Sequence, residues 1–133
     1  MMNIMLGNYG NTIDTNNWYN VRNGSDSEMA SFIDDINNKK VGAVIFLNCN
    51  PAYDHLASSN LKESLSSVPL RISTSDRIDE TSILCNVIAT DSHFLESWND
   101  FKPIENSYSF SQPTIRNIFD TRQSQDSLLK WSG

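Results

Sequence analysis

The chain has 133 residues, a formal net charge of -6 and a pI near 4.7. That length suits one domain with a real core, and the acidic balance with scattered Lys and Arg argues against a nucleic-acid footprint or a polybasic lipid-binding run. No window approaches ~18 consecutive apolar residues, so direct membrane insertion is not expected, and Met1-Met-Asn-Ile-Met-Leu6 is too short, and lacks the basic flank, for a signal peptide.

Residues 1–25 are rich in Asn, Gly, Tyr and Thr, and Leu6-Gly-Asn-Tyr-Gly-Asn-Thr-Ile13 has turn chemistry with almost no periodicity. It reads as an ordered loop or as the tail of a preceding segment. Ser25-Asp26-Ser27 offers helix caps, and Met29, Phe32, Ile33 and Ile36 follow at helical spacing. The spacing predicts an amphipathic helix that ends at Asn37-Asn-Lys-Lys40. Val41-Gly-Ala-Val-Ile-Phe-Leu47 is a continuous apolar run. Continuous rather than alternating hydrophobicity predicts a strand buried on both faces, as in a parallel sheet, with Ile45 deep inside. The run stops at Asn48-Cys-Asn-Pro-Ala-Tyr-Asp54. A polar loop at the carboxyl end of a parallel strand is where open α/β sheets bind ligands.

Leu61 and Leu65 mark a helix over 59–67 that Pro69 closes, and Leu70-Arg-Ile-Ser-Thr74 reads as a second strand. Asp79-Glu-Thr81 is a helix start with Asp79 as its cap, and Val87-Ile-Ala89 a third, very short strand. Strand, helix, strand, helix, strand predicts an α/β class: a single Rossmann-like, three-layer domain over 1–133, with a short parallel sheet and helices on its faces. Residues 91–118 are polar and aromatic, without evident periodicity, and 122–131 read as a closing helix. Loops as long as 91–118 are usually functional or docked on something.

Cys49 and Cys85 lie beside apolar runs and belong to no C-x-x-C pair, so both read as small buried residues rather than metal ligands. At the strand ends, Asn50, Pro51, Asp54 and Asp76 read either as contacts to a nucleotide-like ligand or as rigid turn and cap residues. His55, His93 and Glu96 do not make a metal site, and a surface or interface role is the simpler reading. No nucleophile-elbow motif or P-loop is present. Trp18, Trp98, Trp131, Tyr53, Tyr108 and Phe110 read as core or interface residues.

Taken together, Asn48-Cys-Asn50-Pro51, Asp76, Glu80-Thr81, Cys85-Asn86-Val87-Ile88-Ala89-Thr90 and Glu96-Ser-Trp98-Asn99 resemble the molybdopterin oxidoreductases of the dimethyl-sulfoxide-reductase type. Asn50-Pro-Ala-Tyr-Asp54, Asp76-Arg-Ile-Asp-Glu-Thr81, Leu95-Glu-Ser-Trp-Asn-Asp100 and Gln112-Pro-Thr-Ile115 resemble one branch more specifically. So do Thr121-Arg-Gln123 and Leu128-Leu-Lys-Trp131. That branch is the fused iron–sulfur and molybdopterin-like subunit of alternative complex III, a Tat-variant-translocated molybdopterin oxidoreductase. The chain departs from the family pattern at Asn48, where the family has Gly, at Cys85-Asn86 in place of Ala-Asp, and at Ala89-Thr90 in place of Leu-Pro.

The resemblance implies a non-catalytic domain excised from a respiratory, quinol-linked oxidoreductase subunit at the periplasmic face of the bacterial inner membrane. It implies no cofactor in this chain and iron–sulfur clusters elsewhere in the parent. The departures argue against molybdopterin, so Asn50, Pro51, Asp76 and Thr81 are expected to form at most a vestigial or weak cofactor-binding crevice. The implied partners are other domains of the parent and neighbouring respiratory subunits. Two alternatives stay open: a pterin-dinucleotide-binding segment of a true molybdoenzyme, and a free-standing, flavodoxin-like small-ligand module.

Overall fold

Ser25 opens the first long helix as the sequence predicts: its hydroxyl accepts a hydrogen bond from the Glu28 amide, and α2 runs over Asp26–Asn37. The computed structural model describes residues 1–17, 19, 24–56 and 58–133. Ile33 and Ile36 turn the apolar stripe of α2 inward. The chain then enters β1 (Ala43–Phe46), passes through a single turn of helix, α3 (Pro51–Asp54), and through α4 (Ser58–Leu65), and returns as β2 (Leu70–Ser73). A 3-10 turn over Ser82–Leu84 leads to β3 (Val87–Ile88).

These three strands form a parallel sheet in the order β1-β2-β3, with Ala43 opposite Leu70, Ile45 opposite Ile72 and Ile72 opposite Val87. The fold is α/β, as the sequence pattern predicts. The core lies on one face of this sheet. Val44 and Phe46 point from β1 into a cluster with Ile33, Ile36, Leu61, Leu65 and Val68. Arg71 secures the connection from α4 to β2. Its guanidinium donates to the carbonyls of Leu84 at 2.7 Å, Leu65 at 3.4 Å and Val68, so a cation holds the C-terminal end of α4.

The opposite face differs from the sequence expectation. Side chains alternate across a strand, so Ala43 and Ile45 point away from the core, and the in-register partners Leu70, Ile72 and Val87 share that face. Ile45 is 40% exposed, Leu70 41% and Val87 41%. The run is apolar on both sides, yet α2 and α4 cover only one. Ile45 is therefore not the deeply buried residue that the continuous pattern suggests, and β1 is an edge strand among the described residues.

The described residues gather into two units, Ser25–Ser97 with Pro113–Gly133 and Met1–Gly24 with Trp98–Gln112. The first holds the parallel sheet and the closing helix α5 (Ser124–Ser132). The second carries a short helix, α1 (Met2–Met5), and a tight turn in which the Asn8 carbonyl accepts from the amides of Asn11, Thr12 and Ile13. It also contains an antiparallel hairpin of β4 (Asn99–Ile104) and β5 (Ser107–Ser111). The hairpin was not predicted. Its signals are the alternation Ser107-Tyr-Ser-Phe-Ser111 and a Glu105-Asn106 turn in which Asn106 takes φ +61°. Trp18 lies outside the described residues.

The one-sided core sets the expected response to mutation. Leu61→Ala removes a fully buried side chain and is expected to cost about 2–5 kcal/mol in urea unfolding. Ile45→Asp is expected to cost only about 1 kcal/mol, because an exposed edge position leaves the carboxylate hydrated. Equal losses at the two positions would show that both faces are buried within this chain.

Candidate functional site: the carboxyl edge of the parallel sheet

Parallel pairing puts the C-terminal ends of β1, β2 and β3 at one edge. The loop after β1 therefore carries Asn48, Asn50 and Pro51 to the same edge as Asp76 after β2 and His93 after β3. Beyond that shared edge, the residues separate into two groups.

Asn50 and Thr81 form the first. The Asn50 Oδ1 accepts from the Thr81 amide at 3.1 Å and from the Thr81 hydroxyl at 2.6 Å, while its Nδ2 donates to Glu80 Oε2 at 2.8 Å. The Thr81 Oγ1 in turn accepts from the Ala52 amide at 3.0 Å, and Thr81 is fully buried. Pro51 occupies the first position of α3, where its fixed φ suits a helix start and its missing N–H is no loss. The Asn-Pro element is thus a clasp between the loop after β1 and the loop after β2.

Asp79 organises the next turn. Its Oδ1 accepts from the amides of Thr81 at 3.0 Å and Ser82 at 2.7 Å. Burial alone would push the Asp79 carboxyl up, but the hydrogen bonds from Ser82, Ser75 and Thr81 outweigh it and hold the group below its ordinary value. The Asn50 amide holds the Glu80 carboxyl down in the same direction. Asp79 accepts cap-like hydrogen bonds at the start of a 3-10 turn rather than an α-helix, but the N-cap position of that turn is Thr81, two residues beyond the one the sequence predicts.

Asp91 centres the second group. It accepts from the Ser92 amide at 2.8 Å, the Ser124 amide at 2.8 Å, the Ser124 hydroxyl at 2.5 Å and the Asn48 Nδ2 at 3.1 Å. One carboxylate therefore joins the end of β3, the first turn of α5 and the loop after β1. Asn48 has φ +49°, the left-handed region that favours glycine and that Asn tolerates best among other residues. The residue type changes, the backbone remains one that glycine would adopt, and the added side chain is used as a tie. Asn86 behaves alike: its Oδ1 accepts from the Arg71 amide at 2.8 Å and its Nδ2 donates to the Pro69 carbonyl at 2.7 Å.

A cavity of about 610 Å³ opens beside this second group, lined among others by Asp76, Asp91, His93, Glu96, Ile118 and Phe119. It includes Asp76, but Asn50, Pro51 and Thr81 are not among its lining residues. Among its polar groups, Asp76, His93 and Glu96 are engaged. Asp76 pairs with Arg77 at 3.0 Å, which holds the Asp76 carboxyl below its ordinary value. Glu96 accepts from the Ile118 amide at 3.2 Å, and His93 accepts from the Leu95 amide at 3.3 Å and lies against Phe94. His93 and Glu96 sit in a turn rather than on a helix, and no cluster of His, Cys, Asp or Glu suited to a metal exists among the described residues.

Chemically, an acid-lined cavity repels a diphosphate. The strand order β1-β2-β3 also advances in one direction, with no reversal among the described strands at which α/β sheets usually form a ligand crevice. Cys49 is exposed, contrary to expectation, whereas Cys85 packs against the core and burial pushes its thiol up. In the sequence, Asn48, Glu80 and Asn86 stand out only as parts of motifs, and Asp91 and Ser124 not at all. The signal for Asn48, Asn86 and Asp91 is position: each lies within three residues of the end of a short strand, where it can reach a neighbouring loop.

No protein-family model matches this chain. It is 29% identical over 95 residues to the menaquinone reductase, molybdopterin-binding-like subunit of Nitratidesulfovibrio vulgaris. The relationship this supports is a molybdopterin-oxidoreductase-like one. The match takes in 68% of this chain but only 14% of the relative's length.

Two outcomes test the clasp. Asp79→Ala is expected to cost about 1 kcal/mol at neutral pH, the usual effect of losing a cap. Because the folded Asp79 value is depressed, its contribution is present above the unfolded carboxylate value of about 3.9 and is lost as pH falls through the folded one. The gap in urea unfolding between Asp79→Ala and the parent chain should therefore narrow as the pH is lowered below about 3.9, and a gap that does not change with pH would assign the cost to packing. Thr81→Val should cost about 1–3 kcal/mol, since it leaves the Ala52 amide without its acceptor.

Proposed function

We propose that this chain is a non-catalytic structural domain of a membrane-associated, quinol-linked respiratory subunit of molybdopterin-oxidoreductase-like, iron–sulfur-bearing type. The observation that carries the non-catalytic part is the engagement of the strand-end polar groups with one another. Asn48, Asn50, Glu80, Thr81 and Asp91 already have protein partners where a pterin-dinucleotide site would need free donors. The respiratory setting draws support from the similarity to the menaquinone reductase subunit. The partners in this reading are the other domains of a longer polypeptide and neighbouring respiratory subunits. Iron–sulfur clusters belong to those parts, and the parent sits at the periplasmic face of the bacterial inner membrane. No helix among the described residues is long and apolar enough to cross a membrane, so membrane association falls to other segments in this reading.

A second reading, a working pterin-dinucleotide segment, draws on the arrival of Asn50 and Asp76 at one edge of the sheet. A free-standing flavodoxin-like module begins with the order 2-1-3, in which the first strand is central. Here β2 is central among the described strands, so that alternative does not fit.

Purification of the natural gene product from membranes of its host tests the proposal. Iron–sulfur signals and quinone-linked electron transfer are expected to accompany it, with molybdenum well below one atom per chain. Guanosine diphosphate is expected to bind the 133-residue chain more weakly than about 1 mM by titration with amide-shift mapping. Stoichiometric molybdenum, or micromolar binding centred on Asn50, would establish the second reading instead. A product without redox partners would overturn both.

A further inference from the structure

We infer that the cavity between residues 90–96 and 115–121 binds a small organic cation, an ammonium or guanidinium group carried on an apolar body. Such a site lies outside the respiratory reading and does not depend on it.

The described lining residues all belong to the unit of Ser25–Ser97 and Pro113–Gly133, so the site is complete within that unit. Two loops wall it, and backbone bonds hold them side by side. The Leu95 carbonyl accepts from the amides of Thr114 at 2.8 Å and Ile115 at 3.1 Å, and the Thr90 carbonyl accepts from the Arg122 amide at 3.4 Å. Side chains add two more ties. Asn117 Nδ2 donates to Ser92 Oγ at 2.9 Å, and Glu96 Oε1 accepts from the Ile118 amide at 3.2 Å. Walls fixed in this way need little ordering when a ligand arrives. The volume of about 610 Å³ falls within the range of about 300–1,000 Å³ that small-molecule sites occupy.

The lining selects the ligand. Leu95, Ile115, Ile118 and Phe119 contribute apolar wall, and all four are exposed. An apolar body laid on them takes that surface out of water. Charge then selects the head group. Asp76, Asp91, Glu96 and Asp120 line the cavity, and no Lys or Arg is among the described lining residues. Exposed Arg77 offsets Asp76, and Asp91 is engaged by four donors that hold the fold together. Glu96 uses only its Oε1 on Ile118, and a carboxylate has a second oxygen to offer. Asp120 is exposed and has no hydrogen-bond or ion-pair partner among the described residues. Glu96 and Asp120 are therefore the carboxylates available to a cation, and a charge-assisted hydrogen bond to either is of the stronger kind. A metal ion is a poor occupant, because no cluster of His, Cys, Asp or Glu suited to one exists among the described residues. An organic cation needs no closed shell of ligands, and it alone uses both the acids and the apolar wall.

The test is titration of the 133-residue chain at low salt with phenethylammonium chloride, read by amide-shift mapping. Its neutral and anionic counterparts, phenethyl alcohol and phenylacetate, are titrated in parallel. The ammonium is expected to bind saturably with a dissociation constant of about 1 mM or tighter, with its largest shifts over residues 90–96 and 115–121. The alcohol should bind at least about tenfold more weakly and the carboxylate more weakly still. Asp120→Asn combined with Glu96→Gln should weaken the ammonium at least about tenfold, and Asp120→Asn alone, with a loss of about threefold, serves where the double variant does not fold. No saturable binding, equal binding of the alcohol, or tighter binding of the carboxylate would overturn the site. So would shifts centred elsewhere, variants that bind as the parent does, or magnesium chloride that displaces the ammonium at equal concentration.

Discussion

The constraint on which the rest of this structure depends is the one-sided cover of a very short parallel sheet. Four-residue strands cannot hold a sheet by backbone pairing alone, and the stabilising core comes from α2 and α4 laid against Val44 and Phe46. That packing fixes which side chains of β1 and β2 are inside. Alternation then fixes which are outside, and so determines that Ile45, Leu70 and Val87 form an apolar face that α2 and α4 leave uncovered.

The same economy of length explains the strand-end loops. With β3 only two residues long, the sheet needs ties beyond its ladder, and the polar side chains at the carboxyl edge provide them. Asn50 joins the β1 loop to the β2 loop through Thr81, and Asp91 joins β3 to α5 and to Asn48. Glycine at position 48 would allow a ligand to approach the backbone closely, whereas Asn48 keeps the left-handed turn and adds a tie to Asp91. At positions 48 and 86 alike, an Asn side chain stitches two segments together. A mutually satisfied network of this kind, anchored on buried Thr81 and Ser124, stabilises the edge and leaves little to offer a nucleotide.

The sequence conveys the parallel sheet, α2 and α4 well, because each has a strong local signature. Ser25 as cap, Ile33 and Ile36 at helical spacing, Leu61 and Leu65 four apart, and the unbroken run from Val41 to Leu47 all agree with the structure. The β4–β5 hairpin is harder to read because β5 alternates Ser with aromatic residues that remain exposed and β4 carries Pro103, so no buried stripe announces it. The exposure of Ile45 could not be read at all. Periodicity reports that a strand is apolar on both faces, but not whether the cover for the second face lies within the same 133 residues. At the strand ends, residue type named the right loops. It did not reveal that Asn50 and Thr81 bond to each other while Asp76 lines a separate cavity.

Carbene footprinting of the purified 133-residue chain tests the asymmetry of the sheet most directly, because the label reports solvent access side chain by side chain. Heavy labelling of Ile45, Leu70 and Val87 is expected, together with strong protection of Phe46, Leu61 and Leu65. Equal protection on both sides of β1 and β2 would contradict it, since it would show that this chain covers its own sheet.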